Sequence, residues 1–152
     1  MMIVVRPAVP GDERFVCDVL EEMDRFYGTW TPQPEDQRLC QVHDALFGAS
    51  RCSQALLAWE EDGVAGIATY SYLWPAVGVS RALYLKELFV CGTARRRGVG
   101  TLLMRSVFDA ARDAGCCRVE WHAELNNHGA HAFYARFADP HEPSRILYRC
   151  KP

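Results

Sequence analysis

The sequence predicts an α/β protein, a central mixed β-sheet flanked by helices. Three observations predict it. Alternating and helical apolar patterns follow one another in the order β-α-α-β-β-β-α-β-α-β. The stretch from Arg81 to Leu125 reads as strand, amphipathic helix, strand, a crossover that joins parallel neighbours, with a right-handed connection expected. Two earlier runs are separated by a tight Asp-Gly turn, which joins antiparallel strands. One sheet therefore holds both kinds of pairing. The chain has 152 residues, one domain's worth and enough to bury a core without disulfides or metals, so residues 1–152 read as a single domain.

MIVVRPA (Met2–Ala8) is a first strand, ended by Pro7 and Pro10. Gly11–Gly28 follows, with Phe15, Val16, Val19, Leu20, Met23, Phe26 and Tyr27 at helical spacing. Asp12 is its expected N-cap and Gly28 its stop. After the proline-containing loop TWTPQPE, a second helix is expected from about Glu35 to Phe47, closed by Gly48. Ser53–Trp74 reads as strand, turn, strand, with the turn at Glu60–Gly63. PAVGVS breaks the pattern, and Arg81–Cys91 is the next strand. Thr101–Ala114 is helical, with Leu102, Leu103, Val107, Ala110, Ala111 and Ala114 on one broad face and Gly115 as the left-handed stop. CCRVEWHAEL (Cys116–Leu125) alternates as a strand, NNHGAHAFYARFA holds a short helix, and RILYRC (Arg145–Cys150) is a last strand.

Composition narrows the function classes. Hydrophobic residues make up 49% and charged residues 24%, as in an ordinary soluble globular protein. The net charge is −2, and the isoelectric point near 6.2 argues against a dedicated nucleic-acid binder. Seven cysteines form no CxxC pair and are odd in number, which suits free thiols in a cytoplasm and offers no metal-ligand spacing. No secretory leader and no apolar run of about 20 residues is read, so no membrane partner is expected.

The densest chemistry lies in CGTARRRGVG, Cys91–Gly100. Three adjacent arginines read either as a basic patch or as part of an anion-binding turn. The loop opens onto a helix N-terminus, where free N–H groups and the helix dipole attract anions. Glycines at 98 and 100 let a ligand approach the backbone. The loop lacks the Gly-Lys-Ser/Thr ending of a Walker loop and the third glycine of a dinucleotide fingerprint. By itself, a Gly-x-Gly pair is also what a plain tight turn needs.

The surroundings add specificity. Arg95-x-x-Gly98-x-Gly100, between a strand ending in LFV and an amphipathic helix, resembles the acyl-CoA signature Gln/Arg-x-x-Gly-x-Gly/Ala of the GNAT superfamily of N-acetyltransferases. Downstream, Asn127–Tyr134 resembles the same superfamily's Asn-x-x-Ala-x-x-Phe-Tyr. Order, spacing and intervening elements agree over nearly the whole chain. YLKELFV (Tyr84–Val90) is similar to the matching strand of the diamine (spermidine/spermine-type) branch. The sequence departs from the pattern where Ala138 and Asp139 follow Phe137 in place of a glycine, and where Lys86-Glu87 keeps one acid of a common acidic pair.

The resemblance implies acetyl-CoA as co-substrate. It implies that backbone groups of Phe89 and Val90 hold the pantetheine arm. It also implies that the amides of Arg96, Arg97, Gly98, Val99, Gly100 and Thr101 cradle the pyrophosphate. The Arg95, Arg96 and Arg97 side chains either add charge near phosphates or form a solvated basic loop. Asn127, Phe133 and Tyr134 would border the cofactor: Asn127 also suits a helix N-cap, Phe133 packs in the core or under the cofactor, and Tyr134 either protonates the leaving thiolate or only packs there. The acceptor pocket would draw on Asp24, Phe26, Tyr27, Trp30, Tyr70, Tyr72 and Trp74, whose acids and aromatics suit a cationic amine, although aromatics there also suit an ordinary core. A homodimer is expected from the diamine branch.

Glu87 is the candidate base. Strict alternation places it with Leu83, Leu85 and Phe89. A carboxylate in that apolar row is costly unless paired or functional, and burial raises its pKa toward the range a base needs. A buried ion pair is the competing reading. Glu120, His122 and Glu124 share a face of the next strand, turned either to the acceptor or to solvent, and His122 is the reserve base and an acceptor-site candidate. His128 and His131 read as surface residues.

The expected activity is transfer of an acetyl group from acetyl-CoA to a primary amine of a small molecule, by direct attack in a ternary complex and without a metal. The acceptor classes are polyamines, amino-acid derivatives and amine-bearing antibiotics. Acetylation of a protein or peptide N-terminus and non-catalytic acyl-CoA binding are the alternatives, with nucleic-acid binding as a third class.

Overall fold

The computed structural model describes residues 2–141 and 144–152. The chain divides into a larger unit, Met1–Trp121, and a smaller one, His122–Pro152. The larger unit holds β1 (Ile3–Pro7), α1 (Glu13–Tyr27), α2 (Glu35–Phe47), β2 (Gln54–Glu60), β3 (Gly63–Leu73), β4 (Ala82–Val90), a 3-10 turn at Gly92–Ala94, α3 (Val99–Asp113) and β5 (Val119–Trp121). The five strands form one sheet in the order β1-β2-β3-β4-β5. The first three pairings are antiparallel, and β4 and β5 pair parallel through α3. The mixed α/β sheet read from the sequence is present. Among the described residues no helix is long and apolar enough to cross a membrane.

The sheet has two buried faces. On one, Val16, Val19 and Met23 of α1 and Leu46 of α2 pack with Ala55, Leu57, Ile67 and Phe89. On the other, α3 buries Val99, Leu103, Met104, Val107 and Ala111. Gly66 marks how closely α3 lies: a Cβ there would stand 2.7 Å from the Phe89 carbonyl oxygen and 3.1 Å from Leu103 Cδ1. Any side chain at 66 would push α3 off the sheet.

Several elements differ from their sequence reading. Asp12 occupies the N-cap position of α1, yet its carboxylate caps nothing. It instead accepts hydrogen bonds from Arg6 Nη1 at 2.7 Å and from the Val9 N–H at 2.9 Å. The Arg6 guanidinium, helped by that N–H, holds the buried carboxyl below the usual carboxylate range. Phe15, Phe26 and Tyr27 follow the helical spacing but are exposed, because they lie outside the stripe that meets the sheet. In the β2–β3 hairpin Glu60 pairs with Gly63, so the loop is Glu61–Asp62, and the left-handed residue is Glu61 (φ 53°). The α3 helix begins at Val99 rather than Thr101, because Gly98 takes the left-handed conformation (φ 82°) directly before it.

The strand read over Cys116–Leu125 shrinks to Val119–Trp121. Its ladder with β4 ends at the Leu85–Trp121 pair, one step before a bulge at Lys86. A bulge breaks the ladder and re-aims the chain, which ends the pairing there.

In the smaller unit, α4 (His128–Tyr134) is capped by Asn127, whose Oδ1 accepts the Ala130 N–H at 3.1 Å. RILYRC forms no strand: Ile146, Leu147 and Tyr148 are exposed, and residues 145–150 join no ladder among the described residues. Alternation alone does not make a strand without a neighbouring edge.

Candidate active site

The centre of the candidate site is the last half of β4. Thr69 pairs with Glu87 and Tyr70 with Leu85, so Lys86 is an extra residue on β4. This bulge resets the alternation. Glu87 and Phe89 share the face of Thr69 and Ile67, the face that α1 and α2 cover. Leu83, Leu85 and Leu88 lie on the opposite face with Tyr72, Tyr70 and Ala68. The expected apolar row of Leu83, Leu85, Glu87 and Phe89 is therefore split. The Glu87 side chain keeps 34% of its exposure and pairs with Lys86 Nζ at 3.2 Å. It is a carboxylate reachable by solvent and held by a neighbouring ammonium, rather than a dry group or a partner of the arginines.

Beyond β4, Cys91 is buried and donates to the Val64 carbonyl, Sγ to O 3.4 Å. Burial, with the nearby Glu22 carboxylate, pushes its thiol up to about 12, so it is no nucleophile. The Gly92 N–H donates to Glu22 Oε1 of α1 at 2.8 Å. The chain then turns through Arg95–Gly98, with Arg96 (φ 62°) and Gly98 (φ 82°) both left-handed. Two reversals so close together aim successive N–H groups to one side. The first turn of α3 has no side-chain cap, and Leu102 is the first N–H bonded back, to the Gly98 carbonyl at 3.1 Å. The N–H groups of Val99, Gly100 and Thr101 remain for an anion, with the positive end of the helix dipole behind them. This donor set fits a pyrophosphate.

The three arginines have three different situations. Arg95 folds back over the Phe26 ring (4.3 Å to the centroid), and its Nε–H donates to the Val90 carbonyl at 3.1 Å. Arg97 makes a two-point pair with Glu60 of β2, one arm at 2.9 Å. Arg96 is exposed and makes no hydrogen bond or ion pair among the described residues. Of the expected phosphate arginines, only Arg96 is uncommitted.

The acceptor-side residues are not all gathered. Asp24, Tyr27 and Trp30 lie at the C-terminal end of α1. Asp24 is engaged with Thr29, Oγ1 to Oδ1 3.3 Å, and the Trp30 ring carries Arg25 at 3.9 Å. On the face covered by α1, β3 presents Thr69 and Ser71. Tyr72 pairs with the fully buried Leu83 and lies on the other face, so the structure does not join it to Tyr27 and Trp30. Tyr70 is buried and donates to Gln54 Oε1 at 3.3 Å, a core role. Trp74 is exposed, with its indole N–H on the Val79 carbonyl at 2.9 Å.

A hollow of about 370 Å³ opens where β2 begins, lined by Arg51, Cys52, Ser53, Gln54, Ser71 and Tyr72. Arg51, Ser53 and Ser71 were not singled out by the sequence, since a lone arginine after a helix-closing glycine carries no spacing signal. A second, wider hollow around Trp59, Phe15 and Arg6, about 530 Å³, contains none of the expected site residues.

In the smaller unit Tyr134 and Phe133 end α4, their rings 5.3 Å apart, and Phe133 also meets Phe137 at 5.2 Å. His122 is exposed, just after β5. His131 Nε2 lies 2.8 Å from the Glu124 carbonyl oxygen, a contact within the unit.

Comparison with known proteins adds the chemical context. The model of the acetyltransferase (GNAT) family matches residues 18–138. A D-amino-acid N-acetyltransferase of Saccharomyces cerevisiae is 30% identical over 154 aligned residues, covering 97% of this chain and 89% of that protein. Among solved structures, an integron cassette protein from the mobile metagenome of V. cholerae superposes with a TM-score of 0.88 at 26% identity, covering 100% of this chain and 94% of that one. An aminoglycoside N-acetyltransferase solved with CoA has the same fold, with a TM-score of 0.78 at 16% identity, covering 99% and 96% of the two chains.

Proposed function

The chain belongs to the acetyltransferase (GNAT) family, and from that premise we propose that it moves an acetyl group from acetyl-CoA to the primary amine of a small molecule. The observation that carries the reading is the uncapped, doubly left-handed entry to α3 directly after the bulged strand β4. We read residues 1–152 as one catalytic domain, supported by a family match over residues 18–138 that continues from the larger unit into the smaller one.

Acetyl-CoA supplies the acetyl group as an activated thioester. The backbone N–H groups from Arg96 to Thr101 would hold its pyrophosphate, with the Arg96 guanidinium adding charge. Past Leu85 the β4 edge toward β5 has no strand partner among the described residues, so backbone groups of Phe89 and Val90 suit an extended pantetheine arm. An amine attacks only as the free base, so the ammonium must first lose a proton. Glu87 Oε, accessible to solvent, takes that proton directly or through a water. Tyr134 is the proton donor for the departing sulfur that the family resemblance implies, and Asn127 holds the first turn of its helix. His122 is not needed in this scheme.

Two comparisons support a small acceptor: the yeast relative is a D-amino-acid N-acetyltransferase, and a structure of the same fold is an aminoglycoside N-acetyltransferase. The test is a thiol-release screen with acetyl-CoA against polyamines, amino acids of both hands, aminoglycosides and peptide N-termini. Amine-dependent release with a small molecule supports the reading. Release with peptides alone moves the activity to N-terminal acetylation, and CoA binding without release to any amine contradicts catalysis.

A further inference from the structure

We propose that the hollow at the start of β2 is a carboxylate-binding subsite, with Arg51 as its anchor, and that it selects α-amino acids as acceptors. The inference rests on the acetyltransferase reading and adds the acceptor class. Four observations lead to it. The backbone around Arg51 is fixed: its N–H donates to the Gly48 carbonyl at 3.2 Å, and the Cys52 and Ser53 N–H groups both donate to the Ala45 carbonyl, at 3.0 and 3.2 Å. The Arg51 guanidinium nevertheless makes no hydrogen bond or ion pair among the described residues. An exposed five-donor cation without a partner, on a loop anchored through its backbone, suits a carboxylate.

The remaining lining carries no acid, and Arg51 is its only charged residue: Ser71 supplies a hydroxyl and Gln54 its amide N–H groups, while the Ser53 hydroxyl donates to the Tyr70 carbonyl at 3.2 Å and Gln54 Oε1 accepts from Tyr70. A polyamine would meet a like charge there. Finally, Ser71 and Thr69 share a sheet face, and Thr69 is the ladder partner of Glu87. Residues two apart on a strand are about 7 Å apart. Ser71 therefore brings one side of the hollow onto the face that carries Glu87, with Tyr72 and Gln54 closing it from the other face, and a carboxylate at Arg51 would leave the ammonium of the same molecule on the Glu87 side. The hollow, about 370 Å³, also has room for a side chain.

The test uses the full-length protein with acetyl-CoA and compares each standard α-amino acid, in both hands, with the amine left when its carboxylate is removed. Wild type prefers the amino acid. Arg51→Ala lowers that preference, as a ratio of kcat/KM values, by roughly 10- to 100-fold, mainly through the amino acid's KM. Arg51→Lys recovers part of it. Cys52 lines the same hollow and is exposed, so it reports occupancy without turnover. The amino acid slows iodoacetamide labelling of Cys52 in wild type, mapped by mass spectrometry, and this protection disappears in Arg51→Ala. Arg51 anchors no neighbour, so the variant keeps the wild-type Tm. An unchanged preference ratio in Arg51→Ala, or turnover of amines with no preference for the carboxylate, overturns the subsite while leaving the acetyltransferase reading intact. Absence of turnover with any amine overturns both.

Discussion

At Gly98 the backbone passes through φ 82° immediately before α3, and a Cβ added there would touch nothing within 4 Å. Substitution therefore acts through the backbone and not through packing. Gly98→Ala should cost about 1 kcal/mol of stability and weaken CoA binding modestly. Gly98→Pro cannot reach a positive φ and should abolish CoA binding in calorimetry while circular dichroism stays helical. The arginines beside it divide the work differently from their appearance in sequence. Arg96→Ala should weaken CoA binding more than Arg97→Ala, and its affinity should depend less on salt, because Arg97 is already spent on Glu60. Glu87→Gln should lower kcat by about 10²- to 10⁴-fold with CoA affinity retained, read by initial rates beside calorimetry. Gly98 was legible in the sequence because its position relative to strand and helix is fixed. The Glu87 environment was not, since its premise was strict alternation and nothing in Leu85-Lys86-Glu87 announces a bulge. The partners of Arg95 and Arg97 come from α1 and β2, far away in sequence, and no local pattern names them.

Among the elements, the join between β1 and α1 shows a carboxylate used for tertiary fastening where the sequence suggested a cap. Asp12 is buried, and removing it leaves the Val9 N–H without its acceptor and the Arg6 guanidinium with only the Pro7 carbonyl. Asp12→Ala should cost about 1 to 3 kcal/mol at neutral pH, measured by urea denaturation. The pH dependence follows from the lowered pKa in the fold. A carboxyl depressed by folding adds stability above its unfolded value of about 4 and loses it as pH falls through the folded value. The difference between wild type and Asp12→Ala should therefore shrink progressively below about pH 4. A difference that grows on acidification contradicts the assignment. Helices and hairpin strands were readable because their apolar periods are local. The length of β5 was not, because it is set by the bulge on its neighbour, and RILYRC alternates correctly yet joins no ladder among the described residues.

For the whole molecule, the α/β class, the mixed pairing and the family were all present in the sequence, because two motifs sat in order on the elements that carry them. The acceptor was not. Aromatic residues suggested a pocket for a cation, whereas the structure engages Asp24 with Thr29, turns Tyr72 to the other face and leaves Arg51 open in a hollow. These placements depend on strand register and on loop anchoring, which composition does not encode. Resemblance to the diamine branch and the lining of the hollow thus point to different acceptors.

The measurement closest to the central claim is mass spectrometry of the amine after incubation with acetyl-CoA and the wild-type protein, beside Gly98→Pro. The account predicts an amine product heavier by one acetyl group, bonded at nitrogen, formed by wild type and not by Gly98→Pro. An unmodified amine pool with wild type, or equal product from Gly98→Pro, would contradict it.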